Sequence, residues 1–127
     1  MSGKILVVDD EKDILRIVAF SLQKWGYEVI TANNGQEGLN KISAEKPDLI
    51  LLDASMPVMD GFKMLEQLRN TPDWKNIPVI MLAAHSDSRD IDRACTYGIV
   101  AYISKPFDPE KLKETIEKTL SLSHSKS

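Results

Sequence analysis

The stretch Lys4-Ile5-Leu6-Val7-Val8-Asp9-Asp10-Glu11 decides the fold. Its apolar core, Ile5 to Val8, has strand length and no polar alternation, which reads as a strand buried on both faces of a parallel sheet. The run stops at two aspartates and a glutamate, far too soon for a signal segment or a membrane span. Acidic residues therefore stand where this strand ends.

Similar runs recur at Glu28–Thr31, Leu49–Leu52, Val79–Leu82 and Ile99–Ile103. Between them, apolar residues fall at helical spacing: Ile14, Val18 and Leu22; Leu39 and Ile42; Phe62, Leu65 and Leu68; Ile91, Ala94 and Cys95; Leu112, Ile116 and Leu120. Gly26, Asn34-Gly35 with Pro47, Pro72 with Pro78, and Gly98 punctuate the series, and Asp108-Pro109 reads as N-cap and first helical residue of the last helix. Strict alternation of strand and helix predicts an α/β fold, an open parallel sheet with right-handed crossovers and helices on both faces. Trp25 is expected to close the first helix onto the sheet and Cys95 to pack on the fourth helix. Trp74 falls in the Pro72–Pro78 loop, and Ser121–Ser127 reads as a frayed tail.

At 127 residues the chain suits one domain. Lys and Arg number 16 against 19 Asp and Glu, so the basic excess that draws proteins to nucleic acid or anionic lipid is missing. A single cysteine excludes an internal disulfide and, with no thiol or histidine beside it, argues against a thiolate metal site. The expected location is the cytoplasm.

Ligands of open parallel sheets sit beyond the carboxyl ends of the strands. There the first strand offers Asp9-Asp10-Glu11, the third Asp53, the fourth Ala83-Ala84 and the fifth Lys105-Pro106. If the first and third strands are neighbours, Asp9, Asp10 and Asp53 share a pocket, and carboxylates about 4 Å apart repel by about 4 kcal/mol at an effective dielectric near 20. Such a pocket calls for a cation. Hard oxygen ligands suit Mg²⁺, which takes one or two carboxylates and completes its octahedron with water and phosphate. A lysine ammonium suits a phosphoryl oxygen, backbone N–H groups after the fourth strand add donors, and an aspartate can accept a phosphoryl group. Capping by Asp9 and Asp10 and solvation of Lys105 would account for each residue singly, but not for four charges at separate strand ends.

Three segments, Ile5–Glu11, Leu51-Leu-Asp-Ala-Ser-Met-Pro-Val-Met-Asp-Gly61 and Tyr102-Ile-Ser-Lys-Pro-Phe107, resemble in order and spacing the receiver domain of two-component response regulators (CheY-like). The resemblance runs from Lys4 to about Leu120, and the domain is expected to span residues 1–121 with a short tail at 122–127. It implies a flavodoxin-like (βα)5 fold with strand order 2-1-3-4-5. It further implies that Asp53 receives a phosphoryl group from a sensor histidine kinase or histidine phosphotransfer protein, with one Mg²⁺ per domain. Asp10, Asp53 and the backbone carbonyl of Ser55 would hold the ion, and Asp9 would act through water. Lys105 and the N–H of Ala84 would bind the phosphoryl group, with Pro106 following Lys105 through a cis peptide. Met56-Pro57 and Asp60-Gly61 resemble the loop that shapes the pocket after the acceptor.

Family members carry Thr or Ser at the end of the fourth strand, where this chain has Ala83. A hydrogen bond to a charged group is worth roughly 1.5–3 kcal/mol, so its loss weakens the switch more than the chemistry. Tyr102 matches the aromatic that turns inward when that hydroxyl moves, and with Ala83 leaving space beside it a permanently inward Tyr102 is one reading. A half-buried strand aromatic is the other. Ser55 and His85 stand two positions beyond pocket residues, where the family tunes the lifetime of the aspartyl phosphate.

The expected function is that of a receiver which promotes its own phosphorylation and dephosphorylation, not a turnover enzyme. Its signal would pass through the fourth helix, fifth strand and fifth helix to a downstream protein, as a monomer or weak homodimer, with neither nucleic acid nor membrane as partner. The alternative is a docking module independent of phosphorylation, its switch weakened by Ala83. A hydrolase of the haloacid-dehalogenase type would need Asp-x-Asp where the chain reads Asp53-Ala54-Ser55, and no Gly-x-Gly-x-x-Gly opens the first helix for a dinucleotide. The chain ends about where a receiver ends, so no output module is expected within it.

Overall fold

The computed structural model describes residues 3–53, 61–83, 92, 95–104 and 108–125, with residues 61, 62, 83, 104 and 122–125 described as backbone only. Strands β1 (Lys4–Val8), β2 (Glu28–Ala32), β3 (Leu49–Asp53), β4 (Val79–Ala83) and β5 (Ala101–Ser104) form one parallel sheet in the order β2-β1-β3-β4-β5. Helices α1 (Lys12–Lys24), α2 (Gly35–Glu45), α3 (Gly61–Arg69) and a C-terminal helix (Pro109–Ser125) accompany it. The strand order and the flanking helices are those of the flavodoxin-like (βα)5 fold.

Successive strand side chains point to opposite faces, so each apolar run is shared between two cores. Ile5 and Val7 of β1, Leu49 and Leu51 of β3, and Ile80 and Leu82 of β4 pack with α1 (Leu15, Val18, Leu22) and the C-terminal helix (Leu112, Ile116, Leu120). Leu6, Val8, Ile50, Leu52, Val79 and Met81 pack with Leu39 and Ile42 of α2 and Met64, Leu65 and Leu68 of α3. Full burial of a Val, Leu or Ile side chain contributes roughly 1.5–3 kcal/mol, which is why these strands carry no polar alternation. Trp25 and Trp74 pack, partly buried, against the first and second core respectively, and Lys113 lies over the Trp25 ring at 6.0 Å.

The helix boundaries follow local chemistry. Asn34 caps α2 by accepting from the Glu37 N–H at 2.9 Å, and Asp108 accepts from the Glu110 N–H at 3.0 Å ahead of the C-terminal helix. Gly26 (φ 95°) and Gly98 (φ 74°) supply the left-handed turns that close α1 and precede β5. The C-terminal helix continues through Ser125, into the serine-rich stretch whose composition reads as a tail.

Two expectations change. Regular pairing in β5 begins at Ala101 opposite Ile80 rather than at Ile99, following the left-handed turn at Gly98, although the Val100 N–H already reaches the Val79 carbonyl at 2.9 Å. Cys95 is exposed rather than packed; apolar spacing over so few positions does not fix which side of a segment is covered. Nearby the Thr96 hydroxyl donates to the Asp92 carbonyl at 3.0 Å, while Ile91 and Ala94 lie outside the described residues.

Arg69, in the last turn of α3, is a residue that apolar periodicity does not single out. Its guanidinium donates to the carbonyls of Tyr97 (2.6 Å), Lys75 (2.8 Å), Ile77 (2.9 Å) and Gly98 (3.3 Å). One side chain thus fastens the end of α3 to the loop before β4 and to the turn before β5. Partners 28 residues away leave no local signal in the sequence.

Candidate phosphoacceptor and metal site

Register places the site. Val8 pairs with Leu52, so Asp9 follows β1 beside Asp53, the last residue of β3. Asp53 in turn pairs with Leu82, and Ala83 with Ser104, so the ends of β3, β4 and β5 lie at the same edge of the sheet as the end of β1.

Asp9 and Asp53 are buried, 1% and 4% exposed, while Asp10 stands open to solvent. One carboxylate oxygen from each of the three lies within 4.8 Å of the others. The Asp9 N–H extends the β1–β2 ladder to the Ala32 carbonyl at 3.1 Å, and its Oδ1 accepts from the Glu11 N–H at 3.0 Å. Glu11 is the N-cap of α1 and makes no side-chain cap bond, so Asp9 steadies the entry to α1 from outside the helix. The capping and site roles of Asp9 are therefore compatible.

At about 4.8 Å two carboxylates repel by about 3–4 kcal/mol at an effective dielectric near 20. The donor set is all hard oxygen, two buried carboxylates and one exposed, which fits a divalent cation of the oxygen-seeking kind that keeps part of its water shell. Tyr102 is half-buried and packs against the core formed with α2 and α3. Ser55, Ala84, His85, Lys105 and Pro106 lie outside the described residues, as does the loop from Met56 to Asp60; Ala83 is described as the backbone end of β4.

A parallel α/β sheet with clustered carboxylates at the ends of its two central strands defines a class of protein whose chemistry sits on an aspartate at a metal-binding pocket. The chain matches the response regulator receiver domain over residues 5–117 and belongs to that family. It is 39% identical over 120 residues to the alkaline phosphatase synthesis transcriptional regulatory protein PhoP of Bacillus subtilis, covering 94% of this chain and 49% of that protein. It is 37% identical over 122 residues to hybrid signal transduction histidine kinase D of Dictyostelium discoideum, covering 96% of this chain and 8% of that protein. Its fold superposes on a CheY-like receiver domain protein from Methanospirillum hungatei with a TM-score of 0.91 at 32% identity over the whole of both chains. The chain spans about half the length of the transcriptional regulators it matches.

As a receiver, the chain works by phosphorylation and dephosphorylation of itself and not by turnover of a separate substrate. Among the described residues no helix is long and apolar enough to cross a membrane.

Proposed function

We propose that Asp53 is the phosphoacceptor. The single observation that carries this reading is the meeting of Asp53 with Asp9 and Asp10 within 4.8 Å at the sheet edge. An Asp53 carboxylate oxygen attacks the phosphorus of a phosphohistidine on a sensor kinase or phosphotransfer protein. The O–P bond forms as the P–N bond breaks, and the imidazole leaves. Asp10, Asp53 and the Ser55 carbonyl would hold one Mg²⁺, with Asp9 acting through water, and such an ion would supply neutralisation of charge on the phosphoryl oxygens. Lys105 and the Ala84 N–H supply the remaining donors, and Ser55 and His85 set the lifetime of the acyl phosphate.

The receiver occupies residues 1–121 with a tail at 122–127, acts in the cytoplasm as a monomer or weak homodimer, and signals through the segment around Asp92–Thr96, β5 and the C-terminal helix. Ala83 stands one residue beyond the Leu82 that pairs with Asp53 and offers no hydroxyl to a phosphoryl group. This favours a second reading, a docking module whose partners bind whether or not Asp53 is modified.

Intact mass after incubation with Mg²⁺ and a small acyl-phosphate donor, beside Asp53→Asn, tests both. One phosphate adduct that the variant lacks, with altered hydrogen exchange in residues 92–104, supports the switch. An adduct with unaltered exchange, and equal partner affinity with and without a phosphoryl mimic, supports the docking module.

A further inference from the structure

At the end of the sheet opposite the aspartates, a cleft of about 990 Å³ lies between the loop before β4, the turn before β5 and the C-terminal helix. Arg69, Lys75 and Lys118 line it, and among the described residues no carboxylate does. Among the described residues none of the three is ion-paired: Arg69 donates to backbone carbonyls only, and the ion pairs present are those of Lys4 with Glu28 and Glu45. In a chain of net charge -3, three uncompensated cations around one cleft reverse the local field. Burial also pushes the Arg69 guanidinium below its ordinary pKa, a cost that an anion in the cleft relieves.

The rest of the lining narrows the ligand. Val100 is 53% exposed, one of three large hydrophobics left open among the described residues, and it shares the cleft with Ile77 and Tyr97. The hydroxyls of Thr96 and Thr115 give their protons to the carbonyls of Asp92 and Lys111, at 3.0 and 2.8 Å, so toward the cleft they offer acceptor lone pairs. Cations, acceptors and an apolar floor thus occur together, in a volume at the upper end of the roughly 300–1,000 Å³ of small-molecule sites. Three separate elements bound the cleft, which suits a compact ligand better than an extended protein segment.

We propose that this cleft binds a phosphorylated small molecule of the nucleotide class. Lys75 and Lys118 take the phosphates, the ring covers Val100 and Ile77, and ribose or amino protons go to the threonine oxygens. The proposal is independent of phosphorylation at Asp53.

The test is amide NMR of the whole chain, with EDTA present so that the aspartate cluster holds no metal, titrated with ATP, with pyrophosphate and with adenosine. The expected result is saturable ATP shifts confined to residues 75–78, 96–100 and 115–119, with a Kd below about 1 mM. Lys75→Glu with Lys118→Glu, both at exposed positions, should weaken binding by about tenfold or more while leaving the rest of the spectrum in place. Val100→Asn, which removes apolar contact without adding charge, should weaken ATP but not pyrophosphate. Pyrophosphate binding as tightly as ATP removes the role of the apolar floor and overturns the nucleotide assignment. No saturable shift, or a glutamate-rich peptide that moves the same residues at lower concentration than ATP, overturns the small-molecule site.

Discussion

The Nε of Arg69 donates to the backbone carbonyl of Tyr97 at 2.6 Å, tying the last turn of α3 to the turn that leads into β5. Three more carbonyls share the same guanidinium, so truncation leaves several acceptors without their donor at once. Arg69→Met is expected to cost about 2–4 kcal/mol, given roughly 1.5–3 kcal/mol for a hydrogen bond to a charged group and partial rehydration of the exposed carbonyls. Urea unfolding measures the loss. Native-state hydrogen exchange should show it first at Val100, whose N–H bonds to β4 next to this turn.

Gly38 sits where a Cβ would come within 3.0 Å of the Met64 methyl and 3.1 Å of a Val8 methyl. Gly38→Ala gains up to about 1 kcal/mol in helix propensity, but overpacking typically costs about 1–3 kcal/mol. Val8 is β-branched and buried in β1 and yields little, so a net destabilisation near 1 kcal/mol is expected in denaturant titration. Shortening Met64 to Leu in the same chain should recover part of it.

Lys46 ends α2 in the left-handed region at φ 51°, donating its N–H to the Ile42 carbonyl at 3.0 Å. Glycine adopts this conformation without the Cβ penalty, so Lys46→Gly should stabilise the chain by about 0.5–1 kcal/mol. Thermal unfolding reads the gain directly. The exposed Lys46 side chain makes no ion pair among the described residues, so no ion pair is lost with it.

The Asp9, Asp10 and Asp53 carboxylates repel one another when no cation is present. Neutralising the exposed member by Asp10→Asn should stabilise the fold in EDTA by an amount of the order of 1 kcal/mol, read as a higher melting temperature. Added Mg²⁺ should then stabilise the parent chain more than the variant, because ligand binding to the folded state adds RT ln(1 + [L]/Kd). Equal Mg²⁺ stabilisation of the two would remove Asp10 from the ligand set.

Burial, and secondarily the charge of Glu117, hold the Tyr27 phenol above its ordinary pKa of 10.0. The folded state thus keeps the proton longer than the unfolded one. The contribution is fully present below pH 10 and is lost as pH rises through the folded value. Tyr27→Phe should therefore flatten the alkaline fall in stability, measured as unfolding midpoints between about pH 9 and 12.

The sequence already specifies the number of strands, their alternation with helices and the carboxylates at strand ends. Each rests on local physics: Ile5–Val8 must be buried on both faces, Asp108 must cap, and the carboxylates of Asp9 and Asp53 must stand where apolar strands end. It also misjudged Cys95, because a short amphipathic turn does not say which side faces the sheet. Tertiary structure decided the rest. Only the pairing of Val8 with Leu52 makes β1 and β3 neighbours and brings Asp9 and Asp10 to Asp53. Only the crossing of α3 over the sheet puts Arg69 within reach of carbonyls 28 and 29 residues away. Burial and capping are properties of a segment and can be read along it, whereas register and long-range hydrogen bonds are fixed by how the two cores pack.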